Sequence, residues 1–204
     1  MSVEISAEIS PITEDDILLV VDVQKDFCSG GALVVPDGDA VVAPINQLMH
    51  MFKRVVSTRD WHPSNHCSFV ENGGEWTSHC IQGTPGAEYH SDLESYLIQV
   101  EIRKGMKTDK DEYSGVAVGC INLTEGVINA PGRIFVVGLA TDFCIRATAL
   151  ELQKAFAEYG DDESIFVVLD ACRGVAPETT AAAIEEMEEE YIQFCNSTDL
   201  VAVV

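Results

Sequence analysis

The chain has 204 residues, 47% of them hydrophobic, and a formal net charge of −22 at pH 7. This excess of acidic residues argues against binding to nucleic acid or to anionic membranes, because both need clustered Lys and Arg. Seven cysteines, without an export signal or an apolar run of transmembrane length, favour a reduced cytoplasmic protein without disulfides. We therefore predict a single domain over 1–204, with residues 1–16 as a poorly ordered acidic N-terminal extension.

Apolar runs alternate with helical patterns along the chain. The run 17–23 is rich in β-branched residues, the spacing over 40–53 is helical, and 54–58 is a second apolar run. The remaining predicted elements are strands at 98–103, 133–139, 164–169, 191–194 and 200–204, and a helix at 177–190. Strand, helix and strand in succession form right-handed βαβ units, so we predict an α/β fold with a parallel sheet.

Cys144 lies where a strand gives way to a helix. The run 135–139 lacks alternation, which is typical of a strand covered on both faces, and Thr141 or Asp142 offers a cap for a helix over 143–159. Cys144 then falls in the first helical turn, where the helix dipole is expected to lower the thiol pKa and make it reactive. The alternative is a small, inert buried side chain.

The long segment 59–96 has little periodicity, and an irregular segment of this length is commonly functional. Asp60 and His62 form an Asp-x-His pair at a strand end, and His79 can complete a three-ligand set that leaves positions for water or substrate. We predict one divalent metal ion here, with zinc as the first candidate and manganese or iron as alternatives. An alternative is a structural zinc knuckle with Cys67 and Cys80, although no paired CxxC spacing is present.

Four polar residues follow four different apolar runs: Asp22, Asp60, Lys104 and Cys144. Because the carboxyl ends of parallel strands share one edge of a sheet, we expect these side chains to meet in one cleft. A cysteine, a carboxylate that can take its proton and an ammonium are the parts of an activated nucleophile. No histidine stands in the strand-end position expected of a Cys-His-Asn protease, so Asp22 is the predicted base. Taken singly, Asp22 could instead be a turn residue and Lys104 a solvated one.

Five segments carry a resemblance to a known family: VVDVQKDFCSGGALVVPDGD, TRDWHPSNHCSF, HCIQGTPGAE, RKGMKTDKDEYSG and VVGLATDFCIRATAL. Over residues 17–176 they resemble the nicotinamidase/pyrazinamidase branch of the isochorismatase-like cysteine hydrolases. The resemblance implies a three-layer α-β-α sandwich with a mostly parallel sheet of about six strands. It also implies hydrolysis of nicotinamide to nicotinate and ammonia, acceptance of pyrazinamide, and assembly into a homo-oligomer, with a dimer as the default.

The same resemblance implies site residues. The implied groups are a catalytic triad of Asp22, Lys104 and Cys144, a metal site of Asp60, His62 and His79, an oxyanion hole of the Ala140 and Cys144 amides, and Phe27, Trp76 and Tyr113 around the substrate ring. The Leu139–Ala140 peptide is expected to be cis. Because relatives differ in whether this loop supplies a fourth ligand, His66 and Glu71 stay open as further ligands.

Two other functions remain possible from the sequence. The chain could hydrolyse a different small amide, such as a ureido or carbamoyl compound, with the same cysteine. It could also be a catalytically silent domain that binds metal or a partner. An intact triad argues against the silent domain, because a binding module has no need of the three residues together.

Overall fold

The structure is a computed structural model that describes residues 5, 9–116, 132–157 and 164–202. Much of the predicted extension, residues 1–4 and 6–8, lies outside these ranges. Within them, Ile12 is buried and forms a β-bridge with Ala202. The single-domain organisation and the extent of the extension stay predictions.

A six-stranded parallel sheet forms the centre of the described residues, as predicted. Its strands are β1 (Ile17–Val21), β2 (Arg54–Asp60), β3 (Val100–Lys104), β4 (Ile134–Leu139), β5 (Ile165–Arg173) and β6 (Gln193–Cys195). The strand order is β3-β2-β1-β4-β5-β6, and every neighbouring pair is parallel. The chain order therefore reverses between β1 and β4, and such a switch point is where ligands bind in open α/β sheets.

Helices cover both faces of the sheet. They are α1 (Val42–Met49), α2 (Arg146–Ala157) and α3 (Pro177–Glu189). Apolar side chains of α1 share a core with one face of β1 and β4, whereas those of α2 and α3 pack in a second core on the opposite face. These layers confirm the predicted α-β-α sandwich. None of the described helices is long and apolar enough to cross a membrane.

Several predicted boundaries are wrong. Helix α1 begins at Val42 rather than at residue 40, which keeps Pro44 within the first turn, where its missing N–H costs nothing. Strand β5 continues to Arg173 because its register with β4 shifts at a bulge between Val136 and Gly138. The predicted strand 200–204 is reduced, within the described residues, to the single bridge at Ala202.

Gly138 is predicted to be essential for closing β4 against β1. It has φ +118°, and a Cβ there would lie 2.1 Å from the Val21 carbonyl oxygen. Gly138→Ala should therefore lower the free energy of unfolding by more than the roughly 1–3 kcal/mol expected of backbone strain alone. Gly83→Ala is the control, because Gly83 also has a positive φ but no atom within 4 Å of an added Cβ. Equal losses in urea denaturation would contradict the role of the close approach.

Candidate active site

The four polar residues predicted at strand ends come together at the carboxyl edge of the sheet. Asp22 follows β1, Asp60 and Lys104 are the last residues of β2 and β3, and Cys144 lies in the turn after β4. All four are buried. Asp22 has φ +49°, an uncommon conformation for a residue other than glycine, and β1 ends there.

Lys104 is the centre of this cluster. Its Nζ lies 2.7 Å from Asp22 Oδ2 and 2.5 Å from Asp60 Oδ1, and it donates to Cys144 Sγ at 3.2 Å. Burial alone would lower the pKa of Lys104, but the two carboxylates outweigh burial and raise it well above its ordinary value. Lys104 is therefore a buried ammonium, and the alternative of a solvated lysine is wrong.

Asp22 is the only carboxylate of the cluster whose pKa is raised. Burial is the main cause, against the opposing effects of Lys104 and of Thr58, whose hydroxyl donates to Asp22 Oδ1 at 2.7 Å. Asp22, Asp60 and Cys144 offer an oxygen, an oxygen and a sulfur that all lie within 4.8 Å of one another. A carboxylate with a raised pKa, this close to a thiol, is suited to take the thiol proton.

The prediction of a lowered Cys144 pKa is wrong. Burial raises the pKa of the Cys144 thiol well above its ordinary value, and the negative charges of Asp22 and Asp60 add to that effect, while Lys104 opposes it. The first turn after β4, Thr141–Ile145, is also wider than an α-helical turn, with the Ile145 amide donating to the Ala140 carbonyl five residues back. Both effects favour the neutral thiol of Cys144, which lies next to the carboxylate of Asp22.

Asp142 does not cap the helix that follows Cys144, contrary to prediction. Its carboxylate instead accepts hydrogen bonds from the Val175 amide at 2.9 Å, the Ala176 amide at 3.3 Å and the Thr179 hydroxyl. These donors lie at the start of α3, so Asp142 ties the turn that carries Cys144 to a second segment. The Leu139–Ala140 peptide bond is cis, as expected.

Asp60, His62 and His79 form a buried group whose potential ligand atoms lie within 4.8 Å of one another. The Nε2 atoms of His62 and His79 lie 3.6 and 3.9 Å from Asp60 Oδ2. Each Nδ1 faces a backbone carbonyl, Gly105 O at 2.9 Å for His62 and Thr77 O at 2.7 Å for His79. Such contacts fix the tautomer that leaves Nε2 free for a cation, so the three residues fit a divalent metal.

Among the described residues, the groups of potential ligands include none of the further candidates, namely His66, Glu71, Cys67 and Cys80. Both ring nitrogens of His66 are engaged, Nδ1 with the Ser68 hydroxyl at 2.7 Å and Nε2 with the Lys110 carbonyl at 3.0 Å. Glu71 accepts a hydrogen bond from Ser78 on the exposed side of the loop. In this structure the group that fits a metal therefore consists of Asp60, His62 and His79.

An apolar pocket opens onto Cys144 and the metal group, and the three predicted ring-binding residues, Phe27, Trp76 and Tyr113, all line it. Trp76 Nε1 donates to the Tyr113 hydroxyl at 2.8 Å, which fixes the two side chains relative to each other. Phe143 also lines the pocket, with its ring 4.9 Å from that of Trp76, and the sequence reading missed it. Phe143 directly precedes Cys144 in the sequence, and this adjacency is the feature from which a place in the pocket could be predicted.

A parallel α/β sheet with a cysteine, a lysine and an aspartate at its carboxyl edge, beside a metal-binding group, defines a cysteine hydrolase. The chain belongs to the isochorismatase family, since the sequence model of that family, described as "Isochorismatase domain", matches residues 16–199.

Several known proteins are similar to the chain. A nicotinamidase of Acinetobacter baylyi is 36% identical over 179 residues, which cover 78% of this chain and 81% of the relative. Two solved structures are also similar. One is PnC1 from L. infantum in complex with nicotinate, with TM-score 0.85, 33% identity and coverage of 96% of this chain and 100% of that one. The other is a pyrazinamidase of Pyrococcus horikoshii in complex with zinc, with TM-score 0.74, 38% identity and coverage of 89% and 99%.

Replacing Lys104 should unfold the metal-free protein at much lower denaturant. Lys104→Met removes the cation from two buried carboxylates, and breaking a buried ion pair in this way costs roughly 3–5 kcal/mol. Lys53→Met is the control, because Lys53 and Glu14 form an exposed pair at 2.8 Å and its loss should leave the free energy of unfolding nearly unchanged. The prediction is wrong if the two variants have the same urea midpoint.

Proposed function

We propose that this chain is a metal-dependent cysteine amidohydrolase that converts nicotinamide to nicotinate and ammonia and also accepts pyrazinamide. The observation that carries the proposal is that one pocket contains both a cysteine and a group of residues that fits a metal ion. The Cys144 thiol, with Lys104 and Asp22 behind it, faces the same aromatic space as the Asp60, His62 and His79 group. The names of the relatives, one of them in complex with the product nicotinate, support the same substrate.

In the proposed reaction, Cys144 Sγ attacks the carboxamide carbon while Asp22 takes the thiol proton. The C–N bond then breaks, Asp22 delivers that proton to the leaving amine, and ammonia departs from a thioester on Cys144. Water next attacks the thioester carbonyl, and Asp22 takes one of its protons and passes it to Cys144 Sγ as the C–S bond breaks. The thiol is thereby restored, and the released acid loses its remaining proton to solvent to give nicotinate. The ammonium of Lys104 lies 2.7 Å from Asp22 Oδ2 and 3.2 Å from Cys144 Sγ, so it stabilises the negative charge that moves between these two groups.

The oxyanion of each tetrahedral intermediate needs donors, and we propose the amides of Ala140 and Cys144. The supporting observation is that Ala140 and Cys144 both line the pocket, Ala140 directly before the wide turn and Cys144 within it. A donor of this kind contributes about 3 kcal/mol to stabilising the transition state.

Asp60, His62 and His79 would hold a divalent metal, and we propose zinc, with manganese or iron as alternatives for such ligands. When bound, the ion supplies a Lewis-acidic position for the ring nitrogen of the substrate. Phe27 and Trp76 line the same pocket and would flank the ring, which orients the carboxamide towards Cys144. We also propose assembly into a homodimer, on the resemblance of the sequence alone.

A different small amide or a ureido compound is the alternative substrate class. The apolar aromatic walls favour a flat ring over such extended polar compounds. Ammonia release from a panel of amides would separate the two.

Cys144→Ala should abolish ammonia release from nicotinamide, with kcat/KM lower by roughly 10⁴-fold or more, because no other described thiol lines the pocket. Cys172→Ala is the matched control, since Cys172 is a buried free cysteine in the core beneath α2 and should be dispensable for turnover. Normal ammonia release by Cys144→Ala would end the proposal.

The role of the metal group predicts a substrate-dependent effect of His62→Ala. Benzamide lacks the ring nitrogen, so the wild type should turn it over poorly, and His62→Ala should bring nicotinamide down towards benzamide while changing benzamide little. Orientation of this kind contributes on the order of several kcal/mol, up to about 7. His50→Ala, at an exposed histidine paired with Glu94, is the control. Equal loss of kcat/KM on both amides would show that the group does not orient the ring.

A further inference from the structure

Gln24 is a buried polar side chain that contacts the backbone of Asp60, and the proposed reaction does not use it. It lies two residues after Asp22, and the chain leaves the sheet between these two residues. A buried amide of this kind needs partners for its N–H donors and its carbonyl oxygen. Its partners in this structure point to its role.

The Gln24 side chain pairs with the backbone of Asp60 on both sides. Gln24 Nε2 donates to the Asp60 carbonyl at 2.9 Å, and Gln24 Oε1 accepts from the Asp60 amide at 2.8 Å. The second Nε2 hydrogen is directed to the Ala87 carbonyl at 3.0 Å. The amide is therefore fully engaged, and two of its three bonds are to one residue.

These hydrogen bonds take the place of strand pairing at Asp60, because β1 ends before it reaches this residue. The parallel pairing of β1 with β2 ends at Val21 and Thr58, where the Asp22 amide still donates to the Thr58 carbonyl at 3.2 Å. Asp60 lies beyond that point, while β3 still pairs with β2 up to Lys104 on its other side. The Gln24 side chain therefore supplies the backbone partner that β1 no longer provides at Asp60.

Asp60 is the residue whose placement matters most, because its two carboxylate oxygens serve different neighbours. Oδ1 faces Lys104 Nζ, and Oδ2 faces the Nε2 atoms of His62 and His79. A rotation of the Asp60 backbone would move both oxygens at once. We infer that Gln24 is a positioning residue that fixes Asp60 for metal binding, an inference that rests on the proposed metal-dependent function.

The chain offers a matched control on the same strand. Gln99 Oε1 accepts from the Val55 amide at the start of β2, and Gln99 Nε2 donates to the Leu97 carbonyl at 2.9 Å. Gln99 thus also braces the backbone of β2 through its side-chain amide, but at the opposite end from Asp60. Gln99 is exposed whereas Gln24 is buried, so the two variants are compared in zinc affinity, which a role of Gln24 in stability alone would leave unchanged in both.

The test compares Gln24→Met, which keeps the volume but removes the hydrogen bonds, with Gln99→Met. Zinc affinity is measured on the metal-free proteins by competition with a chromogenic chelator, and unfolding is followed in urea in parallel. We expect Gln24→Met to weaken zinc binding by about 10–100-fold, as loss of an outer contact to a metal ligand does, and Gln99→Met to bind zinc as the wild type does. Wild-type affinity in Gln24→Met, or equal losses in both variants, would overturn the inference.

A second variant covers the case in which Gln24→Met does not fold. Gln24→Glu keeps the acceptor for the Asp60 amide but cannot donate to the Asp60 carbonyl when ionised. Its added negative charge would by itself favour a cation, so weaker zinc binding in this variant supports the inference, and unchanged or tighter binding overturns it. His62→Ala separates the two proposals, because zinc binding by this variant that equals the wild type refutes the metal site itself, whatever Gln24 does.

Discussion

The ammonium of Lys104 is the interaction on which the site depends. Without it, Asp22 and Asp60 would be two carboxylates buried side by side, and burying unpaired charge costs several kcal/mol per ion. The pairing is possible only because β3, β2 and β1 are neighbours and end at nearly the same level, as the register of Asp60 with Lys104 shows. The charge balance of the site therefore depends directly on the strand order of the sheet.

Lys104 contacts both carboxylates, yet their pKa values move in opposite directions. Burial raises the pKa of Asp22, whereas at Asp60 the effects of Lys104 and His62 overcome burial and hold the pKa well below its ordinary value. Two nearby carboxylates with different pKa values can take different roles, one remaining ionised while the other gains and loses a proton. Asp60 stays an anion, which suits a metal ligand, and Asp22 is the one suited to gain and lose a proton.

The sequence predicted what depends on strand ends. Asp22, Asp60, Lys104 and Cys144 each follow an apolar run, and parallel topology brings such positions together without further information. The predictions that were wrong concern residues whose interaction partners are distant in the chain. Asp142 was assigned to the helix beside it, but its donors begin 33 residues later.

The prediction of the Cys144 pKa failed for a similar reason, and for the same reason the sequence left the question of a fourth metal ligand open. A local helix-start argument gives a lowered thiol pKa, but carboxylates from two other strands and complete burial act in the opposite direction. His66 is in the right loop for a ligand, and only its contact with the Lys110 carbonyl, 44 residues away, shows that its Nε2 is already engaged. Spacing along the chain carries no signal for either effect.

The raised pKa of Cys144 also restricts the path of its proton. Without a metal ion, the carboxylates of Asp22 and Asp60 and the ammonium of Lys104 give the buried cluster one negative charge when the thiol is neutral. Ionising Cys144 to solvent would add a second negative charge in a site of low dielectric. Transfer of the proton to Asp22 leaves the charge of the cluster unchanged, and Lys104 contacts both the donor and the acceptor. In the proposed reaction the thiol therefore becomes nucleophilic as Asp22 takes its proton, because the buried geometry that disfavours a free thiolate calls for an internal base.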